Sequence, residues 1–184
     1  MRPIAIPGNI QQHNQPNDAL RPGLQNIRAD FQRLLKDNVE VSVVMPAYNE
    51  EESILKTLSC LSKSVTNRSV EIIVVNNNSK DNTENIVISA GAICIKEAKQ
   101  GITPARNAGL AAAKGKYVLN ADADTLYPPD WIEQMVKPLD DRNITCVYGR
   151  FSFIPTAGTP RFVYFFYEYA ADFMRWVNKR FKEE

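Results

Sequence analysis

The chain has 184 residues, of which 44% are hydrophobic and 23% charged, a composition typical of one globular domain with its own core. Its 22 basic and 21 acidic residues leave a formal net charge of +1, so it lacks the basic excess of a dedicated nucleic-acid binder and no nucleic-acid partner is expected. The cysteines Cys60, Cys94 and Cys146 lie outside any metal-binding spacing and are expected to be reduced thiols, and the single histidine, His13, nearly excludes histidine-based catalysis.

Residues 1–40 are predicted to form an extension that precedes the main domain. Residues 1–17 are rich in proline, asparagine and glycine and predict a flexible lead. From Leu20 to Leu35, apolar residues recur at helical spacing, which predicts an amphipathic helix packed on the domain, with a membrane-surface or partner helix as the alternative. The sequence shows no apolar run of the ~18 residues that a bilayer span needs and no signal pattern, so we expect a cytoplasmic location.

From residue 41 onward, short apolar segments alternate with helical patterns. Strands are predicted over residues 41–45, 70–75, 92–95, 117–121 and 145–151, and helices over 51–61, 81–90, 104–113 and 128–136. Asp81 and Glu84 fit the N-cap and N3 positions of their helix, and Gly91 fits its C-terminal stop. The alternation predicts an α/β domain over residues 41–155, with a mainly parallel central sheet and helices on both faces.

Ligands bind to such sheets beyond the carboxyl ends of the strands, so the polar residues at 46–50, 76–79 and 122–124 are expected to converge. Asp122 and Asp124 are the most informative of them, because residues i and i+2 of an extended chain point to the same side. Two converging carboxylates must be solvated, protonated or bridged by a cation, and a divalent metal with so few protein ligands usually carries substrate phosphates. The pair indicates a metal-dependent enzyme that acts on a nucleoside diphosphate, with two turn-capping acids as the alternative.

Four sequence blocks follow one another in the chain: VVMPAYNEE (43–51), IVVNNNSKDNT (73–83), GITPARNAG (101–109) and the Asp-x-Asp motif DAD (122–124). Together they resemble the nucleotide-binding half of a family 2 glycosyltransferase with the Rossmann-like GT-A fold. The resemblance implies an inverting, metal-dependent enzyme of the hexosyl-transferring type that acts in glycan or polysaccharide synthesis. It would move a sugar from a nucleoside-diphosphate sugar, most commonly a UDP-sugar, to a glycan, lipid-linked or other hydroxyl acceptor.

The resemblance also assigns roles to individual residues. The ring of Tyr48 would stack on the nucleobase, a contact worth roughly 1–3 kcal/mol, although an edge-of-core tyrosine is the alternative. Asp122 would hydrogen-bond the ribose or help to hold the metal, and Asp124 would ligate Mn²⁺ or Mg²⁺ and so assist departure of the diphosphate. The remaining residues that the resemblance places against the nucleotide are Pro46, Ala47, Glu50, Asn77 and Arg106.

The second block departs from the family pattern, which carries an aspartate pair where this chain has Asn76 and Asn77. By resemblance, the second of these side chains accepts a hydrogen bond from the ring N–H of the base. The amide oxygen of Asn77 accepts such a bond without charge assistance, so a weaker bond is expected. Uracil remains the expected base, because guanine presents two adjacent donors to one neutral acceptor.

The residues after the fourth block are expected to form an incomplete acceptor region. An inverting enzyme needs a general base, and the acids Glu168 and Asp172 lie in an aromatic run rather than in the usual context of such a base. We therefore expect a truncated chain that keeps the donor site, and a catalytically incomplete nucleotide-sugar-binding module is the alternative function. Residues 156–184 predict an aromatic helix that needs a surface to cover it: an acceptor half, a second subunit of a homodimer, or the cytoplasmic membrane face.

Overall fold

The computed structural model describes residues 7–154 and 161–181. They divide into two compact units. The larger unit is Gly8–Val147, and the smaller one takes Pro7 and the described residues from Tyr148 onward. Within the part of the chain that the structure describes, no helix combines the length and the hydropathy that a membrane crossing requires.

A four-stranded, entirely parallel sheet forms the centre of the larger unit. Its strands are β1 (Val41–Ala47), β2 (Val70–Asn76), β3 (Ile93–Lys96) and β4 (Tyr117–Asn120), in the order β3-β2-β1-β4. Val41 of β1 pairs with Val70 on one side and with Tyr117 on the other. Every residue of β2 is buried, as expected for a strand that helices cover on both faces. The predicted parallel α/β sheet is therefore confirmed.

The described residues contain eight helices, seven in the larger unit and one, α8, in the smaller unit. The core on one face is built from side chains of α3, α4, α5 and α7, whereas α6 packs on the other face through Ala105 against Ile73 and Val75. The helices are α1 (Gly8–Gln11), α2 (Asn17–Leu20), α3 (Leu24–Leu34), α4 (Ile54–Ser62), α5 (Thr83–Ala90), α6 (Ile102–Ala112), α7 (Trp131–Val136) and α8 (Arg161–Phe181), with 3₁₀ turns at Arg21–Gly23 and Lys137–Asp140.

Helix α6 lies unusually close to the sheet because one of its residues is glycine. A Cβ atom added to Gly109 would lie 2.3 Å from Cγ1 of Val44 and 3.0 Å from Cγ2 of Val75. These distances are shorter than van der Waals contact, so only glycine fits without a shift of the helix. The close packing fixes α6, whose amino-terminal turns reach the carboxyl edge of the sheet.

The amino-terminal segment is more ordered than its composition predicts. Ile10 of α1 is buried, and Nδ1 of the buried His13 lies 2.9 Å from the Ser59 hydroxyl of α4. The expected flexible lead is therefore wrong for residues 8–17. Ile10, His13 and Asn17, whose amide donates to the Glu51 carbonyl, hold this segment, and they carry no periodicity that a sequence pattern would reveal. The amphipathic helix is present as α3, which buries Ile27, Phe31 and Leu34.

The ends of α5 agree with the expected signals within one residue. The helix begins at Thr83, whose backbone N–H and hydroxyl both donate to the Asp81 carboxylate, so this acid caps the helix from one position before the N-cap, Asn82. At the other end Gly91 adopts φ +83°, which confirms the predicted glycine stop.

The predicted strand at residues 145–151 is wrong. These residues form neither helix nor strand, and Tyr148 is 80% exposed. An apolar run becomes a strand only when a neighbouring strand satisfies its backbone groups, and no described strand pairs with this one.

The smaller unit contains the aromatic helix α8, and residues 156–160 and 182–184 of the predicted aromatic segment lie outside the described residues. Glu168 accepts hydrogen bonds from the Ser152 hydroxyl and the Phe153 backbone N–H, and Asp172 forms an ion pair with Arg150 at 3.2 Å. The Phe153 ring also stacks on Tyr164 at a centroid distance of 5.4 Å. The two acids of α8 thus bind residues of their own unit.

Candidate functional site

Four loops leave the carboxyl edge of the parallel sheet, and each carries residues that the sequence analysis singled out. The first loop follows β1 at residues 48–53, and the second follows β2 at residues 77–82. The third follows β3 at residues 97–101 and leads into α6, and the fourth follows β4 at residues 121–130. Parallel strands bring these loops to one edge, so the predicted convergence is a consequence of the topology.

The first and second loops are joined by hydrogen bonds along their whole length. Asn49, in the left-handed region at φ +54°, is held on both sides, because its backbone N–H donates to the Ser79 hydroxyl and its amide oxygen accepts from the Lys80 backbone. Hydrogen bonding to the Asp81 carboxylate also lowers the pKa of that group, although burial opposes the shift. Further bonds run from Asn77 N–H to the Ala47 carbonyl, from Glu50 N–H to the Thr83 hydroxyl and from Glu51 N–H to the Asp81 carboxylate.

The second and third loops are joined by the side chain of Asn77, which is only 3% exposed. Its amide nitrogen donates to the carbonyls of Glu97 and Lys99 at 2.9 and 2.8 Å. Its amide oxygen accepts the backbone N–H of Gly101 at 2.7 Å. Both amide hydrogens are therefore used within the protein, and one lone pair of the oxygen remains. The predicted bond from this oxygen to a nucleobase stays a prediction.

This use of Asn77 is a function that sequence reasoning missed. The departure from the aspartate pair was visible, but it was interpreted only as a weaker acceptor. A carboxylate has no hydrogen to donate, whereas an amide bridges two carbonyls. The signal was therefore present in the residue type, and the partners that explain it lie about twenty positions away in the chain.

The fourth loop presents the two aspartates to solvent. Ala121 and Ala123 are 2% and 4% exposed, whereas Asp122 and Asp124 are exposed, although β4 ends at Asn120 and residues 123 and 124 form a turn. The backbone N–H of Ala121 still donates to the Val44 carbonyl of β1, which anchors the start of the loop. Both carboxylates are therefore open to solvent at the carboxyl edge of the sheet.

Arg106 lies beside the first of these carboxylates. It belongs to the second turn of α6, and its Nη2 atom lies 3.6 Å from Oδ1 of Asp122. The side chains are 49% and 65% exposed, so water screens the pair and its contribution to stability is about 0–1 kcal/mol. The third and fourth sequence blocks are thus brought together, as the resemblance implied.

Two buried side chains bind the backbone of the fourth loop. The hydroxyl of Tyr127 accepts the backbone N–H of Asp122 at 2.7 Å, and burial raises the pKa of this phenol to about 12. The hydroxyl of Thr57, on α4, donates to the carbonyl of Ala123 at 2.8 Å. Neither residue was singled out from the sequence, because both bonds join a hydroxyl to a backbone group that no motif marks.

The other predicted nucleotide contacts lie on the first loop and at the end of β1. The Tyr48 ring is 48% exposed and offers a face to a planar ligand. Pro46 is half-buried and Ala47 is buried, so these last two residues of β1 lie beneath the exposed loops of the carboxyl edge. The Glu50 carboxylate accepts the hydroxyl of Ser53, the N-cap of α4. Glu50 therefore lies before the helix, and its alternative role as an acid of the first helical turn is wrong.

A metal ion at this edge would find two carboxylate ligands in the fourth loop, Asp122 and Asp124. Among residues 7–154 and 161–181, no group of three or more histidine, cysteine, aspartate or glutamate side chains is arranged to hold a metal ion. Asp122 and Asp124 offer carboxylate oxygens alone, which suit hard cations such as Mg²⁺ and Mn²⁺. Mg²⁺ commonly takes one or two carboxylates together with water and substrate phosphates, so the pair fits such an ion when a diphosphate completes its ligands.

Comparison with known proteins gives the family. Residues 42–182 match the model of glycosyl transferase family 2, and the chain belongs to this family. Glycosyltransferase AglE of Haloferax volcanii is 32% identical over 127 residues, which are 65% of this chain and 42% of AglE. The Escherichia coli UDP-Glc:α-D-GlcNAc-diphosphoundecaprenol β-1,3-glucosyltransferase WfgD is 30% identical over 64% of this chain and 48% of that protein. The chain thus spans less than half the length of these relatives.

Solved structures give the same assignment. Glucosyl-3-phosphoglycerate synthase from Mycobacterium tuberculosis, in complex with Mn²⁺, UDP-glucose and phosphoglyceric acid, aligns with a TM-score of 0.50 and 28% identity over 63% of this chain and 43% of that one. S. aureus TarS 1-349 aligns with a TM-score of 0.53 and 25% identity over 65% of this chain and 39% of that one. The fold is the GT-A fold of glycosyltransferases.

Proposed function

We propose that this member of glycosyl transferase family 2 binds a UDP-sugar at the carboxyl edge of its sheet and transfers the sugar, with inversion, to a hydroxyl acceptor. The observation that carries the proposal is the pair of exposed carboxylates, Asp122 and Asp124, in the loop after β4 at the carboxyl edge of the sheet. The crystallised synthase that binds Mn²⁺ and UDP-glucose supports this nucleotide and this class of metal.

In this proposal Asp122 and Asp124 hold Mn²⁺ or Mg²⁺ against the diphosphate. Two aspartates would otherwise repel the phosphates, and a bound divalent cation reverses the sign of that interaction and stabilises the charge that develops on the leaving diphosphate. The protein contributes the orientation of the two carboxylates. Arg106, beside Asp122, brings a guanidinium that can turn to a phosphate or to the base without moving α6.

The nucleoside would lie over the first and second loops. The exposed ring of Tyr48 offers a stacking surface, and the free lone pair of the Asn77 amide oxygen offers one acceptor for the N–H of uracil. Both loops are cross-linked by hydrogen bonds, so little backbone order has to be gained on binding.

For the acceptor we propose a chemical class, a hydroxyl group on a glycan or on a lipid-linked sugar. WfgD is named for a diphosphoundecaprenol-linked acceptor, which supports a glycan or lipid-linked hydroxyl. We assign no general base among the described residues, because Glu168 and Asp172 are bound to residues of the smaller unit. The donor half of the reaction is therefore the part that this chain can test.

Calorimetric titration of UDP, with Mn²⁺ present or with EDTA, tests the donor site. Asp124→Asn should raise the Kd for UDP in Mn²⁺ at least tenfold, because it removes one ligand charge from the cation. Asp130→Asn, an exposed acid a few residues further along the same loop, is the matched control and should bind as the unaltered chain does. If UDP binds equally well in EDTA and to the Asp124 variant, the proposed metal role is wrong.

Donor hydrolysis separates an enzyme from a binding module. Slow, Mn²⁺-dependent release of UDP from UDP-glucose would support a reactive donor site. Binding without any release would favour the alternative of a catalytically incomplete module. Absence of binding at millimolar UDP would contradict the proposed function itself.

A further inference from the structure

We propose that Tyr127 and Thr57 are positioning residues, which hold the backbone between Asp122 and Asp124 so that both carboxylates meet one cation. Neither side chain enters the site, and the proposal rests on the function proposed above. The two exposed acids follow the end of β4, so strand pairing no longer fixes the positions of their carboxylates relative to each other.

The strand ladder stops just before the two acids. The last backbone bond from this segment to β1 runs from Ala121 N–H to the Val44 carbonyl. The next N–H, that of Asp122, donates instead to the phenol oxygen of Tyr127 at 2.7 Å. The phenol therefore takes the place of a strand partner, and it comes from five residues further along the same chain.

The Tyr127 hydroxyl is itself held in place. Its residue is buried, and its ring packs on Trp131 with the ring centroids 4.3 Å apart. A second contact, 3.5 Å from the hydroxyl to the Asp122 carbonyl, is at the limit of a hydrogen bond. The turn from Asp122 to Tyr127 is thus closed on itself by a side chain that has little room to move.

Thr57 fixes the next residue of the loop from a different element. It is fully buried on α4, and its hydroxyl donates to the Ala123 carbonyl at 2.8 Å. The residue between the two acids is therefore bound on its carbonyl side, whereas the residue before it is bound on its N–H side by Tyr127. These two bonds fix the peptide that precedes Asp122 and the peptide that precedes Asp124, so the backbone that carries each carboxylate is held by one side chain.

This arrangement matters because a cation with two protein ligands has no other side chains to correct an error in their positions. Mg²⁺ and Mn²⁺ bind oxygen in a narrow range of distance and angle, and a site that is loose by about 1 Å loses much of its affinity. A purely structural role for the two hydroxyls would lower stability but leave the metal affinity of the folded protein unchanged. The two roles are therefore separable by measurement.

The test compares matched substitutions that remove one hydroxyl each. Tyr127→Phe keeps the ring, and its control is Tyr117→Phe, since the Tyr117 hydroxyl lies at the start of β4 and donates to Asp140, away from the loop. Thr57→Val keeps the shape of the side chain, and Thr57→Ser restores the hydroxyl. For each variant the Kd for Mn²⁺ is measured in saturating UDP, together with the thermal midpoint and the amide hydrogen exchange of residues 122–125.

Tyr127→Phe and Thr57→Val should each raise the Kd for Mn²⁺ at least fivefold and speed exchange of residues 122–125, whereas Tyr117→Phe and Thr57→Ser should remain within twofold of the unaltered chain. Unchanged Kd values for Tyr127→Phe and Thr57→Val would overturn the positioning role, even if both lower the thermal midpoint. If one variant fails to fold, the other pair decides.

An unaltered chain that binds no Mn²⁺ in the presence of UDP would refute the proposed function, and with it the cation that the two hydroxyls are proposed to serve. An unaltered chain that binds Mn²⁺ while Tyr127→Phe and Thr57→Val bind it equally well would overturn the positioning role alone.

Discussion

Replacing Asn77 with aspartate would restore the acid that the family pattern carries at this position, yet we expect the change to destabilise this protein. The amide nitrogen of Asn77 donates to the carbonyls of Glu97 and Lys99, and the residue is 3% exposed. In Asn77→Asp a carboxylate oxygen would face those two carbonyl oxygens, with no hydrogen between them. The third bond, from Gly101 N–H to the side-chain oxygen, is kept by either residue.

The magnitude follows from the burial of the groups that lose their partners. A buried carbonyl left without a donor costs about 1–3 kcal/mol, and a partly exposed one costs less because water can replace the donor. Glu97 is half-buried and Lys99 is exposed, so the two carbonyls together account for about 1–3 kcal/mol. Burial of the new charge adds to this, and we expect a total loss of about 2–4 kcal/mol in the free energy of unfolding.

Urea unfolding monitored by circular dichroism measures the loss. Asn78→Asp is the matched control: it makes the same change one residue away at an exposed position, where water can replace the bond that the Asn78 amide donates to the Ala98 carbonyl, and it should cost less than about 1 kcal/mol. The difference between Asn77→Asp and the unaltered chain should shrink as the pH falls toward 4, because a protonated carboxyl can again donate one hydrogen bond. The reasoning is refuted if Asn77→Asp is as stable as Asn78→Asp at pH 7.

Three further predictions concern the scaffold. Gly109→Ala should lower the free energy of unfolding by about 1–2 kcal/mol, because the 2.3 Å contact outweighs the gain in helix propensity; equal or greater stability in urea would contradict this. Burial, and to a lesser extent the charge of Lys63, lowers the pKa of His13 below 6.5. The chain should therefore lose stability as the pH falls below 6.5 toward that lowered pKa, and His13→Gln should not show this loss. Identical pH profiles of stability for the two proteins would contradict this prediction. Arg68→Met removes the guanidinium that Glu40, Glu133 and Asp140 share. It should lower the free energy of unfolding by about 1–3 kcal/mol at low salt and by less in 1 M NaCl, whereas a loss independent of salt would argue against an electrostatic origin.

The fold was predictable because its strands are short apolar runs separated by helices. A strand covered on both faces, such as β2, carries no polar alternation and is bounded by clear stop signals. The same criterion failed at residues 145–151, since an apolar run does not specify a pairing partner. Composition was misleading at residues 8–17, where isolated side chains such as Ile10 and His13 anchor a segment that was expected to be flexible.

The exposure of the two acids at the carboxyl edge was predictable for a related reason. Asp122 and Asp124 directly follow a strand of the parallel sheet, and both are exposed there, whereas Ala121 and Ala123 are buried. The bonds made by Thr57 and Tyr127 were not predictable, because each joins a single hydroxyl to a backbone group. A hydroxyl bonded to a main-chain atom of another segment leaves no periodic trace in the sequence.

The two sides of the carboxyl edge are held by different means, and this difference bears on how a ligand would bind. The first three loops are fastened to one another, with Asn49 and Asn77 as the main side-chain links. The fourth loop is fastened to α4 and to its own turn. Arg106 and Asp122 connect the two sides by an exposed ion pair at 3.6 Å, which contributes about 1 kcal/mol at most. A cation bound by Asp122, or a phosphate bound by Arg106, would therefore replace the weak ion pair between these two residues with a stronger interaction. The backbone that carries both residues would not have to move.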